Sequence, residues 1–501
     1  MKLRQIAMAA AACCGALASL PSFAITASNY TNTGEFTGDT LNIRVSGASA
    51  QDNGILGSAL SLCTAGSVHR YAISNNVVFF CTPDIGTNAG QITVPAGKTK
   101  LAIYKYSVGG SYYGVGPINS NTAAAGNALT ATGNQLPFMD LSAINTLCTG
   151  TNAVTTTVTF NTTLGSYTNV ACANASGTIT SAATTYIGLS DVEPAFFTNA
   201  TANLTANSVY ALIFGVPVSL NLRNALQTQQ SLTVGSDTEA NMPSLSSAQL
   251  TSAYTQSGQT WAGIGVGFNP TGDDAIYVAR RVDSSGTQKT FEALIARTPN
   301  SQGGFKQCSS GTTGFVAPDS GTAGSNVGDA SSTCGTATPP VVFSGSGGGD
   351  VRNCLIAHNG AGRGAIGILT TEDKPGTSNW RFVKVDGVTP NQAQTAAGNY
   401  RHYVESFLNT RTTGAFATSA ASGYPAIVTR LSTDLANPTI IAQINGTDQT
   451  FGKAGLMALY TRQATPPALN FTGAQPPILP WTKVNASAVV DNCQAPYAAG
   501  F

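Results

Sequence analysis

The stretch IYVARRVDSSGTQKTFEALIA, residues 276–296, decides the fold class. Ile276, Tyr277 and Val278 suit a half-buried strand, and after Asp-Ser-Ser-Gly-Thr the residues Phe291, Leu294 and Ile295 recur at the spacing of a helix face. The reading is strand, tight turn, helix. The first N–H groups of a helix lack intrahelical partners and carry partial positive charge, so such a turn suits an anion. Arg281 would add a bidentate donor and Ser285 and Thr287 would add hydroxyls. Gly286 would allow close backbone approach, and Asp283 could orient the arginine. Taken alone, the segment reads first as a Ser-capped helix on an α/β scaffold.

Three other segments share the pattern. LNIRVSGASAQDNGILGSALSLC alternates at Leu41, Ile43 and Val45, breaks at SGASA, and then sets Ile55, Leu56, Ala59 and Leu60 on one helical face. KLAIYKYSVGGSYYGVGPI carries a strand, Leu101 to Tyr106, into Ser107, Gly109 and Gly110. TTYIGLSDVEPAFF ends a short strand at Ser190 and Asp191 ahead of Pro194, a residue suited to the first turn of a helix. In open α/β sheets ligands sit beyond the carboxyl ends of the strands. Four such loops, rich in small donors and carrying one acid and one arginine, describe an oxyanion clamp.

Between these units, VYALIFGVPVSLNLRNAL, residues 209–226, reads as a buried strand crossing between two lobes. Ser246 and Gln249 form a capping box ahead of Leu250, Ala253 and Tyr254. Residues 120–182 and 298–346 are rich in Thr, Asn, Gly and Ser and read as inserted, mostly irregular segments stapled by disulfides. Alternation of strands and helices throughout gives an α/β fold with mixed sheets flanked by helices.

The first 24 residues, with Lys2 and Arg4, an alanine-rich apolar run and a small-x-Ala ending at Ala24, read as a secretory signal peptide. Eight cysteines follow it: Cys63, Cys81, Cys148, Cys172, Cys308, Cys334, Cys354 and Cys493. An even count in an exported chain favours up to four disulfides, expected between nearest neighbours: 63 with 81, 148 with 172, 308 with 334, and 354 with 493. No C-x-x-C pair occurs and the three histidines are scattered, so neither a metal site nor a cofactor is expected. With 9% charged residues and a net charge of +1, nucleic acid is not an expected partner. Gly97-Lys98-Thr99 lacks the earlier glycine of a P-loop, having Ile92 in its place, and reads as a turn. There is no G-x-S-x-G elbow, and the chain is not expected to be an enzyme.

From about Leu41 to the mid-400s, the chain resembles the phosphate-binding proteins of ABC transporters, which have the two-lobed type 2 periplasmic binding fold. SGASA resembles the family's first glycine-rich loop, YSVGGS its serine-glycine loop, GLSD its serine-aspartate motif and RVDSSGT its arginine-aspartate-x-serine-glycine-threonine motif. GAIGILTTED is similar to the strand that returns to the first lobe, and KVDGVTPN to the segment after it. The resemblance implies lobe 1 over 40–215, lobe 2 over 216–365 and a return over 366–501. It implies that Ser49, Ala50, Gln51, Ser107, Gly109, Asp191, Arg281, Ser285, Gly286 and Thr287 form the oxyanion site, with Asp283 holding Arg281. Asp191 would accept the proton of hydrogen phosphate, which sulfate lacks. It further implies a monomeric periplasmic or secreted protein that presents phosphate or a similar anion to an ABC permease. Where the family has a threonine and an aromatic residue, this chain has Gln51 and Asp52, the latter a second carboxylate near the anion. Without the transport role, the same fold would serve a secreted or surface interaction protein.

Overall fold

The computed structural model describes Ala27, Tyr30 and residues 38–500, apart from 74, 87–91, 93, 95–96, 121, 126–132, 173–178, 198–200, 256–258, 271, 283, 297–329, 332–333, 335–341, 414–423, 447–454, 475 and 485–488. Two mixed sheets share one strand, Leu204–Ser219. Every residue from 209 to 219 is buried, as expected of an apolar run covered on both faces. The strand stops at Ser219. From Leu220 to Gln229 the chain is helical, because Leu222 and Leu226 recur at helical spacing and are both buried. The single long strand expected over 209–226 is therefore a strand followed by a helix.

In the first sheet, Lys100–Tyr106, Thr40–Gly47 and Ile187–Ser190 lie parallel, and Tyr403–Arg411 joins antiparallel between Ile187–Ser190 and the N-terminal half of the shared strand. Ile43, Val45, Leu101, Ile103, Ile187 and Leu189 have no exposed surface. Each such aliphatic side chain contributes about 1.5–3 kcal/mol by burial. The helix Asp52–Leu62 covers this sheet together with Tyr424–Ala436 and Pro438–Asn445. Gly57 permits the contact: a Cβ there would lie 2.4 Å from Ile444 Cγ1.

In the second sheet, Val342–Gly345, Tyr277–Arg281 and Ala365–Gly367 are parallel, and Val216–Ser219 separates them from Trp380–Val385. The helix Gly348–Gly360 packs on this sheet. The return to the first sheet, expected at residue 366, is completed only by Tyr403–Arg411, since Trp380–Val385 still pairs with the second. The reciprocal capping box is present: Ser246 N donates to Gln249 Oε1 at 2.9 Å and Gln249 N to Ser246 Oγ at 3.2 Å.

Residues 120–182 differ from the irregular insertion expected. Ala153–Asn161 and Gly165–Cys172 form a hairpin that extends the first sheet through His69–Ile73, and Gly133–Met139 pairs with Thr180–Thr184. Threonine and valine are β-branched and fit a pleated, half-exposed surface, so a Thr-rich composition here marks strands. Of the insertion expected over 298–346, most lies outside the described residues.

Cys63–Cys81 and Cys148–Cys172 are bonded as expected. Cys334, however, is joined to Cys354, and Cys493 is disulfide-bonded, whereas Cys308 lies outside the described residues. The expected 308–334 and 354–493 pairs are thereby overturned. The cause is packing: Ala330–Ser331 and Val342–Gly345 pair beside the helix carrying Cys354, whose side chain is fully buried in the cluster that Cys334 joins. Adjacency across a helix–sheet contact outranked adjacency in sequence.

Candidate functional site

The four junctions converge. The strand Tyr277–Arg281 leads to Ser285, whose Oγ accepts from Gln288 N, and to the short helix Gly286–Phe291. A crossing turn, Ser111–Gly114, brings the junction after Lys100–Tyr106 onto the one after Ile187–Ser190. Gly188 makes this possible, because a Cβ there would sit 1.9 Å from Gly114 O. Across the gap between the sheets, Tyr112 N donates to Ser284 O at 2.9 Å, and the Ser284 hydroxyl donates to Gly109 O. Beside these contacts lies a cavity of about 270 Å³.

Of the residues expected in the site, Ser49, Ala50, Arg281 and Thr287 line this cavity. Arg281 is 2% exposed. Its Nε donates to Gly345 O at 3.1 Å and its Nη2 to Ser346 O at 2.6 Å, which fixes the plane of the guanidinium. Among the described residues no acceptor holds Nη1. Burial lowers its pKa to about 10, opposed by the nearby carboxylates of Asp191, Asp350 and Asp52, so it stays cationic at neutral pH. Asp283 lies outside the described residues, and the carbonyls of Gly345 and Ser346 orient the arginine.

Asp191, Gln51, Ser285 and Gly286 sit one layer behind the cavity wall. The Asp191 carboxyl accepts from Thr287 Oγ1 at 3.2 Å and from Gln51 Nε2 at 3.4 Å, and Tyr210 OH donates to Gln51 Oε1 at 3.1 Å. Burial raises the pKa of Asp191, and Arg281 together with these donors pulls it back. Gly286 is confined against it: a Cβ there would lie 2.8 Å from Asp191 Cβ and 2.3 Å from Ser111 Oγ. The carboxylate thus occupies the place in front of the short helix where the sequence suggested an external anion.

Ser107 belongs to a third cluster. Lys105, 2% exposed, donates to Gly47 O at 3.0 Å, Ala48 O at 3.3 Å and Ser107 Oγ at 2.7 Å, and pairs with Asp52 Oδ1 at 3.1 Å. Ser107 Oγ in turn donates to Asp52 Oδ1 at 2.7 Å. The carboxylate that departs from the family pattern therefore lines the cavity, neutralised by a buried lysine. Gly109 closes against Tyr113, adopts φ 77°, and offers its carbonyl to Ser284.

Sequence reasoning missed the opposite wall. Arg352, on the helix Gly348–Gly360, is ion-paired with Asp373, and both line the cavity with Glu372, Asn53 and Asn75. The Thr-Thr-Glu-Asp that follows the strand Ala365–Gly367 was the available signal, since acids at a strand's carboxyl end reach the same side as the four loops. Glu372 is 6% exposed and neither carboxyl oxygen makes a hydrogen bond of normal geometry. Burial pushes its pKa to about 8; Asp52 and Asp191 raise it further, while the amide of Asn53 and Lys374 lower it. Among the described residues, Cys334, Cys354 and His358 lie close enough to share a metal ion, but both sulfurs are consumed in a disulfide.

No family model and no curated protein matches the sequence. Among solved structures, the chain is similar to a Clostridium perfringens protein assigned as a phosphate ABC transporter substrate-binding protein, with phosphate bound. That match has 11% identity over 79% of this chain and 96% of that one, with a TM-score of 0.37. It is also similar to an ABC-type phosphate transport receptor from Vibrio cholerae, at 12% identity over 49% of this chain and 74% of that one, TM-score 0.28. A third similarity is to PstS from Borrelia burgdorferi, at 12% identity over 50% and 76%, TM-score 0.24. Likeness of this degree does not place the chain in their family, and the functional reading stands on the site itself.

Proposed function

We propose that this chain is an extracytoplasmic solute-binding protein that holds phosphate or another small oxyanion-bearing ligand between its two sheets and presents it to an ABC-type permease. The observation that carries the reading is Arg281: a buried guanidinium, fixed by two backbone carbonyls, lining a cavity with Ser49 and Thr287 on its rim. Hydrogen bonds to a charged acceptor contribute about 1.5–3 kcal/mol each, so one guanidinium edge and the Ser49 hydroxyl suffice for a small anion, Thr287 Oγ1 being committed to Asp191. Three disulfides among the described residues suit an oxidising compartment, and among those residues no helix is long and apolar enough to cross a membrane. Calorimetry of the folded protein with phosphate and sulfate at neutral pH tests the ligand, and absence of heat with both removes this reading.

A second reading, a secreted or surface interaction protein that keeps the fold without transport, is favoured by the hairpin Ala153–Asn161 with Gly165–Cys172. It is stapled to the neighbouring helix by Cys148–Cys172 and leaves Val154 56% exposed at a sheet edge. Protease accessibility on intact cells separates the two: protection favours transport and cleavage favours display.

A further inference from the structure

We infer that the ligand is a phosphate monoester of a sugar, with its phosphate at Arg281 and its sugar ring in a second cavity beyond Asp52 and Asn53. The inference deepens the solute-binding reading and rests on it. The second cavity has a volume of about 260 Å³ and adjoins the first at the start of the helix Asp52–Leu62, because Asp52 and Asn53 line both. Pockets for small organic molecules run to about 300–1,000 Å³, a range that neither cavity reaches alone and the two reach together.

The hairpin Ala153–Asn161 with Gly165–Cys172 walls the second cavity with Val158, Tyr167 and Asn169. It is anchored at its tip and its base. Asn161 Nδ2 donates to Gln443 O on the helix Pro438–Asn445, Cys172 is bonded to Cys148, and between them Thr168 to Ala171 pair with His69–Ile73. A wall held in this way loses little freedom when a ligand enters. Phe79, 3% exposed, and Leu56, 6% exposed, supply apolar surface for the C–H face of a ring. Donors for its hydroxyls stand beside them. Arg70 Nη1 donates to Asn169 Oδ1 at 2.6 Å, and among the described residues no acceptor holds Arg70 Nε, Arg70 Nη2 or Asn169 Nδ2. Asp52 Oδ1 is taken by Lys105 and Ser107, which leaves Oδ2 to accept from a hydroxyl. Arg70, Tyr167 and Asn169 line the second cavity and not the first, so an inorganic phosphate held at Arg281 leaves them to water.

Calorimetry of the full chain at pH 7 with glucose 1-phosphate, glucose 6-phosphate and inorganic phosphate tests this. The expected result is at least tenfold tighter binding of one ester than of inorganic phosphate. Val158→Trp, which fills the second cavity from the hairpin, and Asn169→Ala, which removes a donor without adding bulk, should each lower that ratio at least threefold. A ratio below tenfold for both esters, or one that falls less than threefold in every folded variant, overturns the sugar phosphate. If neither variant folds, the wild-type ratios decide. Heat from none of the three compounds overturns the solute-binding reading itself, a failure distinct from phosphate binding that ignores the sugar.

Discussion

Replacing Glu372 by glutamine removes a proton-binding group while keeping its shape, and the burial of this residue fixes both sign and size of the effect on stability. The carboxyl has an ordinary pKa of 4.5 when unfolded and about 8 in the folded chain, chiefly because burial disfavours its charged form. The folded state therefore holds a proton that the unfolded state releases. The stability from that proton is fully present below pH 4.5 and is lost as pH rises through about 8. At about 1.4 kcal/mol per pKa unit, the whole loss amounts to about 5 kcal/mol. Glutamine does not titrate. The unfolding free energy of Glu372→Gln minus that of the wild type should accordingly grow by about 1.4 kcal/mol per pH unit between roughly pH 5 and 8. Glu193, raised to about 7, and Glu405, also raised by burial, give slopes of the same sign in both proteins and cancel in the difference. Urea unfolding followed by the fluorescence of the buried Trp261 and Trp380 at four pH values measures it. Parallel pH profiles for the two proteins would refute the assignment of a buried, unpaired acid at this position.

Arg281→Lys loses the planar fork that spans Gly345 O, Ser346 O and the cavity, and oxyanion affinity should fall at least tenfold by calorimetry; unchanged affinity would remove Arg281 from the site. Lys105→Met leaves the carbonyls of Gly47 and Ala48 and the Asp52 carboxylate without their shared donor, and should cost about 2–3 kcal/mol in denaturant unfolding. A loss below about 0.5 kcal/mol would show that water replaces the ammonium without penalty. Asp191→Asn should narrow the discrimination between phosphate and sulfate more than it lowers affinity, because its hydrogen bonds to Thr287 and Gln51 set the wall behind Arg281; equal selectivity would assign Asp191 to architecture. Non-reducing peptide mapping should recover Cys334 linked to Cys354, and a 308–334 or 354–493 peptide would contradict the packing of the helix Gly348–Gly360.

Much of the scaffold was legible because it rests on local rules. Leu41, Ile43 and Val45 alternate as a strand must, Ser285 caps a helix through its own hydroxyl, and Ser246 with Gln249 closes a capping box, each within a few residues. The Thr-rich hairpin was misread because composition was weighed above β-branching. The boundary at Ser219 was missed because an apolar run satisfies strand and helix alike until its period is counted.

The sequence by itself determined the α/β class and the junctions, one of which carries the arginine that lines the cavity, since these follow from periodicity, capping or turn chemistry acting over short separations. Only the tertiary structure decided which of those side chains face the cavity and which serve one another. Asp191 is consumed by Gln51 and Thr287, Ser107 by Asp52, and Cys354 by Cys334, whereas Glu372 and Arg352 reach the cavity wall from segments whose sequence was read only as strand and helix. The physical reason is that hydrogen bonds and charge pairs are short-ranged and exclusive. A donor committed inside the wall is lost to the ligand, and that commitment depends on distances across sheets that spacing along the chain does not encode.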